Sequence, residues 1–318
     1  MHSDTVLHTT VKNEKKRRIS VTFLSFFFLL FSTVCYAAEP EPAPQTEALE
    51  SEGMLSPSSE KSSESVFGSA SAKESFTDEK LSVLLTNIQS MLPAQNGVWS
   101  VFVRDLINES EGSINDQPMQ AASLIKLFIM GAVYENYEAL TQQYGQSSIN
   151  SWLHSMITVS DNDAANSLVN CLGGGNSAAG MDAVNIFCEN HGYLNTSMGR
   201  LLLQGTENGD NYTSVSDCGH FLDAVYDDES TEFSHADEMF DLLSAQTRTH
   251  KIPSQLPEGV HTANKTGELS NVENDAAIIY DTDNDLILVF MSQNLSEVGS
   301  AQSTIASISR QIYDYYNP

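Results

Sequence analysis

Two polar residues, Ser123 and Lys126, interrupt an otherwise apolar run, Ala121-Ala122-Ser123-Leu124-Ile125-Lys126-Leu127-Phe128-Ile129-Met130. Apolar character on every side predicts a helix buried in a core. Their spacing puts the hydroxyl and the amine on one face, a turn apart. Burial disfavours a charged ammonium and lowers its pKa. A lysine held toward the free amine beside a serine hydroxyl is a general base beside a nucleophile. The bland alternative is a lysine whose stem lies along the core and whose head reaches water. A pattern as short as Ser-x-x-Lys does not by itself decide between them.

Two further signals follow in the chain: Ser160-Asp161-Asn162, expected to open a helix after a loop, and Lys265-Thr266-Gly267, expected to end a strand before a hairpin. Taken together and in this order, the three resemble those of the penicilloyl serine transferases, the group that holds class A β-lactamases and penicillin-binding D-Ala-D-Ala peptidases. The resemblance runs from about Leu81 to the C-terminus. It implies that Ser123 attacks an amide carbonyl, that Lys126 takes or relays its proton, and that Ser160 passes a proton to the leaving nitrogen. It implies that Asn162 holds both Lys126 and a substrate amide, that Lys265 sets positive charge beside Ser160, that Thr266 binds the substrate carboxylate, and that Gly267 and Glu268 line the same site. The backbone N–H groups of Ser123 and Glu268 would form the oxyanion hole. No cofactor and no metal is expected, since the chain has neither a His-Glu-x-x-His run nor a phosphate-cradling glycine loop.

The resemblance also has gaps. Class A β-lactamases carry a Glu-x-x-x-Asn loop whose glutamate activates the water that frees the acyl-enzyme. The corresponding stretch here, Arg200–Ser214, is short, and its Glu207, Asp210 and Asn211 do not have that spacing. The interval from Ser123 to Ser160 is compact. Glu268 is larger and more negative than the small residue common after the third signal, and is expected to repel an anionic substrate group or to select a different one. Three functions stay open: a β-lactamase-like hydrolase of β-lactams or related amides, a cell-wall D-Ala-D-Ala carboxypeptidase or transpeptidase, and a sensing domain that binds β-lactams without turnover.

The elements that must position these residues follow from periodicity. Leu81, Leu84, Leu85, Ile88 and Leu92 repeat as on a helix, ended by the Pro93–Gly97 stretch. Val98–Val103 reads as a strand with Trp99, Val101 and Val103 on one face. A turn is expected at Asn108–Gly112, a short strand before Gln117-Pro118, and the Ser123 helix to about Tyr137. Gln142–Ser148 reads as a loop, followed by helices at Ile149–Ile157, after Ser160 as far as Gly173-Gly174-Gly175, and at Met181–Glu189. The stretch Gly205–Ser214 is polar and loop-like. Two helices (Val215–Val225, Ala236–Ala245), three strands (Val260–Lys265, Ala276–Asp281, Leu286–Ser292) and a last helix (Ala301–Tyr315) complete the chain. Strands at both ends with helices between them predict an α+β fold. In it an antiparallel sheet, flanked by N- and C-terminal helices, packs on an all-helical lobe, with the site in the cleft between. Asn166, on the same helix face as Asn162, is expected to tie the lobe together, and Asp161 to cap its helix.

Charge limits the partners. Fifteen Lys and Arg stand against 42 Asp and Glu, a net charge of −27. That argues against nucleic acid, which needs a basic face, and against adsorption to anionic lipid. A small-molecule β-lactam or a D-Ala-D-Ala peptide is the expected partner, and the protein is expected to be a monomer. From Thr77 onward only eight basic residues occur: Lys80, Arg104, Lys126, Arg200, Arg248, Lys251, Lys265 and Arg310. Two of the eight lie inside the signals, so a local cationic spot for a substrate carboxylate is expected, with Arg248 or Lys251 adding to it unless they lie on an exposed helix end or loop.

At the N-terminus, Lys12, Lys15, Lys16, Arg17 and Arg18 precede the apolar run Ile19–Val34, and Cys35-Tyr36-Ala37 ends in small residues. This is the pattern of a signal peptide over residues 1–37; an uncleaved membrane tether is the alternative. Either places the domain outside the cytoplasm. Residues 38–76, rich in Glu, Ser, Pro and Ala, read as a flexible linker, and 77–318 as the catalytic domain. Beyond Cys35, the three cysteines Cys171, Cys188 and Cys218 form no disulfide framework; one bridge or buried free thiols are both open. Cys188-Glu189-Asn190-His191 has faint metal spacing but reads as helical core.

Overall fold

The computed structural model describes residues 70–207, 209–227 and 232–318; the expected signal segment lies outside them. The first helix, α1 (Ala70–Met91), begins inside the stretch assigned to the linker. It leads into β1 (Val98–Asp105) and β2 (Ser110–Ile114). The expected Asn108–Gly112 turn is therefore shifted back, since pairing of Asp105 with Ser110 closes the hairpin over Leu106–Glu109. After β3 (Met119–Gln120), a 3-10 turn (Ala122–Leu124) runs into α2 (Ile125–Glu135).

The expected loop at Gln142–Ser148 is not a loop. Helix α3 (Tyr137–Tyr144) and helix α4 (Gln146–Thr158) meet at a single residue, Gly145, whose φ of 88° lets the chain change direction without strain. Gln, Ser and Asn in this stretch look loop-like by type, but Leu140 and Ile149 anchor the two helices in the core. The lobe continues with α5 (Asn162–Leu172), α6 (Ser177–Asn190) and, after the short β4 (Tyr212–Thr213), α7 (Val215–Tyr226) and α8 (Ala236–Ser244). The chain returns through β5 (His261–Leu269), β6 (Val272–Tyr280), β7 (Leu286–Gln293) and α9 (Val298–Tyr316).

The five long strands form one antiparallel sheet in the order β2-β1-β7-β6-β5. Period-two alternation explains why β7 reads as an unbroken apolar run. Leu286, Leu288 and Phe290 face the layer made by α1 and α9, while Ile287, Val289 and Met291 face the helical lobe. Both faces of the sheet are covered, so its middle strands are buried on both sides. The sheet therefore presents chemistry at an edge. Strand β5 has β6 on one side and the 3-10 turn of Ser123 close to the other. Among the described residues no helix is long and apolar enough to cross a membrane. Cys171, Cys188 and Cys218 are buried free thiols, which settles the open disulfide question in favour of core packing.

Candidate active site

Ser123 sits in the 3-10 turn, half-buried, and Lys126 one turn later with its side chain wholly out of water. Lys126 Nζ lies 3.0 Å from Ser123 Oγ, 2.7 Å from the Ser160 carbonyl oxygen, 2.8 Å from Asn162 Oδ1 and 3.1 Å from Ser160 Oγ. A neutral amine has two N–H donors and one lone pair. The Ser160 carbonyl and the Asn162 amide oxygen can only accept, so they use both donors and leave the lone pair to a hydroxyl. Burial, then the positive charge of Arg248, lower the Lys126 pKa to about 7, with Asp161 acting against them. The alternative of a lysine reaching into water is excluded by this burial.

The second signal is held by a strained backbone. Ser160 has φ 62°, left-handed for a residue with a side chain, in the link between α4 and α5. That conformation lets both its carbonyl and its hydroxyl meet Lys126. Asp161 caps α5, accepting from the Ala164 N–H at 2.7 Å, and so fixes Asn162 as the first helical residue. On the far side, Lys265 Nζ donates to Ser160 Oγ at 2.9 Å and to the Thr266 carbonyl at 2.7 Å. Burial first, then repulsion from Lys126, Arg248 and Lys251, push the Lys265 pKa well down; Asp275 opposes them. Ser160 Oγ thus stands between two amines, each able to exchange a proton with it.

Lys265-Thr266-Gly267 lies inside β5 and not at its end, a correction to the expected strand boundary. The strand continues because Thr266, Gly267 and Glu268 pair with Asp275, Asn274 and Glu273 of β6. Gly267 packs against the nucleophile's turn. A methyl group there would sit 2.9 Å from the Ala121 carbonyl oxygen and 3.2 Å from the Ser123 and Leu124 nitrogens. This brings the Gly267–Glu268 backbone beside the Ser123 N–H. Thr266 is buried next to it.

Several positioning residues carried no sequence signal. Asn274 of β6 donates to the Gln120 and Ala121 carbonyls at 2.9 and 3.2 Å and accepts from the Ser292 N–H, pinning the approach to Ser123. The stretch read as a polar loop is closed at its neck. Arg200 Nε donates to Asp210 at 2.7 Å, Gln120 donates to the same carboxylate, and Asn211 Oδ1 accepts the Gly199 and Arg200 N–H groups. Burial works to raise the Asp210 pKa, but the bonds from Gln120, Asn211 and Arg200 outweigh it and hold the carboxyl low. Tyr212 and Thr213 at its end pair with β3. Asn166 performs the expected tie: its side chain brackets Leu202, donating to the carbonyl at 3.0 Å and accepting from the N–H at 2.9 Å.

Glu207 is exposed and has no bond to the Ser123 group, while Leu202, whose backbone Asn166 holds, is apolar. Arg248 is exposed as expected, but Lys251 is buried and bound to carboxylates: Glu273 at 2.7 Å and Glu268 at 3.2 Å. A cavity of about 380 Å³ between Tyr134, Tyr137, His154, Glu238 and Asp241 lies in the helical lobe and shares no residue with this group.

A half-buried serine, a buried lysine and a second serine–lysine pair, held between a sheet edge and a helical lobe, are the parts of an active-serine hydrolase scaffold. The model of the β-lactamase enzyme family matches residues 84–147 and 140–316, and the chain belongs to that family. Solved structures agree on the fold. PBP-A is 21% identical, with a TM-score of 0.64 over 74% of this chain and 96% of that one. A β-lactamase from Sphaerobacter thermophilus is 19% identical, with a TM-score of 0.61 over the same shares. A variant of PBP-A, solved as an acyl-enzyme complex with penicillin G, is 20% identical with a TM-score of 0.63 over 74% of this chain. No curated protein is similar enough in sequence to match.

Proposed function

We propose that this chain is a β-lactamase-like serine hydrolase that opens β-lactams or related amides through an acyl-enzyme on Ser123. The observation that carries the reading is the bonding of Lys126, whose two obligatory acceptors leave its lone pair to a hydroxyl, with Ser123 Oγ at 3.0 Å and Ser160 Oγ at 3.1 Å. Ser123 Oγ bonds to the amide carbonyl carbon as its proton passes to Lys126 Nζ. The carbonyl oxygen gathers charge toward the Ser123 and Glu268 N–H groups. The C–N bond then breaks, and the nitrogen takes the proton of Ser160 Oγ, which Lys126 replaces with the proton it took from Ser123. The free edge of β5 supplies backbone partners for an extended substrate.

A second reading, a D-Ala-D-Ala peptidase or a domain that stays acylated, is favoured by one observation. No carboxylate among the described residues of the Gly199–Asn211 segment reaches the Ser123 group: Asp210 is bound to Arg200, and Glu207 is exposed. The purified protein, incubated with benzylpenicillin, is expected to gain the mass of one intact drug molecule on Ser123. Return of free enzyme with ring-opened product supports the hydrolase. A lasting adduct supports the second reading, which cleavage of a D-Ala-D-Ala peptide then checks. Identical behaviour of the protein and its Ser123→Ala variant removes both.

The basic residues Lys12–Arg18 and the apolar run to Val34 support export, with cleavage after Ala37. N-terminal sequencing of the exported protein is expected to begin at Ala38. Retention of the full-length chain in the cytoplasm overturns this location.

A further inference from the structure

Arg248, His250 and Lys251 converge on the Glu268 carboxylate at the mouth of the site. Arg248 Nη1 is 3.3 Å from Oε2, while His250 Nε2 and Lys251 Nζ are 3.0 and 3.2 Å from Oε1. Lys251 also pairs with the buried Glu273, whose other oxygen accepts from Gln302 at 3.0 Å. Burial acts to raise the Glu268 pKa, but Lys251, His250 and Arg248 outweigh it and keep the carboxyl low, so the group is an anion at neutral pH. His250, Glu268 and Glu273 stand close enough to share a metal ion. The Lys251 ammonium already lies between the two carboxylates, so the cation there is the protein's own.

This cluster belongs to the Ser123 site. Glu268 follows Gly267, which packs on the Ser123 N–H, and Arg248 is near enough to lower the pKa of both Lys126 and Lys265. Arg248 and Lys251 are matched by the carboxylates of Glu268 and Glu273. Burial disfavours the charged form of both Lys126 and Lys265. Elsewhere in the domain, Arg104 is bound to Glu111 and Asp223, Arg200 to Asp210 and Arg310 to Asp314. The cationic spot expected for a substrate carboxylate is therefore filled from within.

We propose that Glu268 sets substrate specificity. Its carboxylate occupies the anion anchor beside the nucleophile, so the site disfavours amides bearing a carboxylate next to the scissile bond and takes those that are neutral or cationic there. This rests on the acyl-enzyme reading above. A substrate anion must displace an intramolecular one that is already placed, and then meets it as a like charge across a partly dehydrated gap.

The test compares benzylpenicillin with its methyl ester, which differ in that one charge, on the unaltered protein and on Glu268→Gln and Glu268→Ala. The rate of Ser123 acylation is followed by intact mass. The unaltered protein is expected to react faster with the ester. Glu268→Gln is expected to reverse the order, raising the rate with the free acid by about tenfold or more, mostly through tighter initial binding and with a loss of rate at high salt. An unchanged acid-to-ester ratio in both variants overturns the proposal. If no adduct forms with either compound, the acyl-enzyme reading fails instead. Benzoate binding, followed by the NMR signals of the Arg248 side chain, then decides the specificity claim: saturable binding to Glu268→Gln but not to the unaltered protein supports it, and equal behaviour overturns it.

Discussion

Replacing Lys126 with methionine is expected to slow acylation of Ser123 by about 10²- to 10⁴-fold, the range of a lost general base, while the chain still folds. Methionine keeps the length and volume of the buried stem and removes only the amine. The pH profile separates a lost base from lost packing. The Lys126 pKa is lowered to about 7 by burial and Arg248, and the base works unprotonated. In the unaltered protein the acylation rate should therefore climb as pH rises through about 7; in Lys126→Met that rise disappears. The same shift has a stability sign. An unfolded lysine binds its proton up to about pH 10.4, so between about 7 and 10 the unfolded chain holds a proton that the folded one has released. Stability gained through this group then increases with pH across that window, and below about 7 the full cost of a buried ammonium is present. Thermal unfolding between pH 6 and 9 checks the sign. An acylation rate flat across pH 6–8, or a Lys126→Met rate within threefold of the original, would show that another group takes the serine proton.

The trio of signals was readable because each rests on local geometry. Ser123 and Lys126 meet through helical spacing, Asp161 caps the helix that presents Asn162, and Lys265 projects from a strand whose alternation is plain in the sequence. The α+β arrangement was readable for the same reason: β6, β7 and α9 carry strong periodic patterns of apolar residues. What could not be read depends on contacts between distant segments. Nothing local marks Asn274 as the residue that pins Gln120 and Ala121, or Arg200 and Asp210 as the neck of a loop. The left-handed Ser160 is also invisible to propensity, since serine rarely adopts that conformation unless its surroundings impose it. Polar helices α3 and α4 were missed in part because their composition resembles a loop, and one glycine is enough to join them. The sequence left Lys251 open between adding to the cationic spot and an exposed loop position, since lysine is seldom buried; only the fold shows the two carboxylates that make its burial tolerable.

These distant contacts also explain how an acidic domain keeps a lysine of lowered pKa. Near Lys126 the charge that lowers its pKa is Arg248, with Asp161 as the counterweight. Glu268 and Glu273 are drawn away to Lys251 and Arg248. Their negative fields, which would favour the ammonium, are thereby offset by cations before they reach it. Under the proposed acyl-enzyme reading, the arrangement suits a base better than an anion receptor, and backbone N–H groups rather than side-chain cations would support charge developing on the substrate.

Substituting Gly267 with valine should therefore be nearly as damaging to chemistry as removing the base. Even a methyl group would lie 2.9 Å from the Ala121 carbonyl oxygen and 3.2 Å from the Ser123 and Leu124 nitrogens. All three are backbone atoms, and Ala121 is further fixed by Asn211 and Asn274, so the turn cannot yield. Strand β5 must move instead, and it carries the Glu268 N–H away from the Ser123 N–H. Loss of aligned oxyanion donors costs about 10²- to 10³-fold in acylation, whereas the overpacking itself costs about 1–3 kcal/mol of stability. Gly267→Ala should fall between valine and the original in both respects. Single-turnover acylation by benzylpenicillin, alongside thermal unfolding of the same variants, measures the two effects separately. A valine variant that is destabilised yet acylated at the original rate would mean that the strand edge does not stabilise the oxyanion. The nucleophile's own turn would then have to supply both donors.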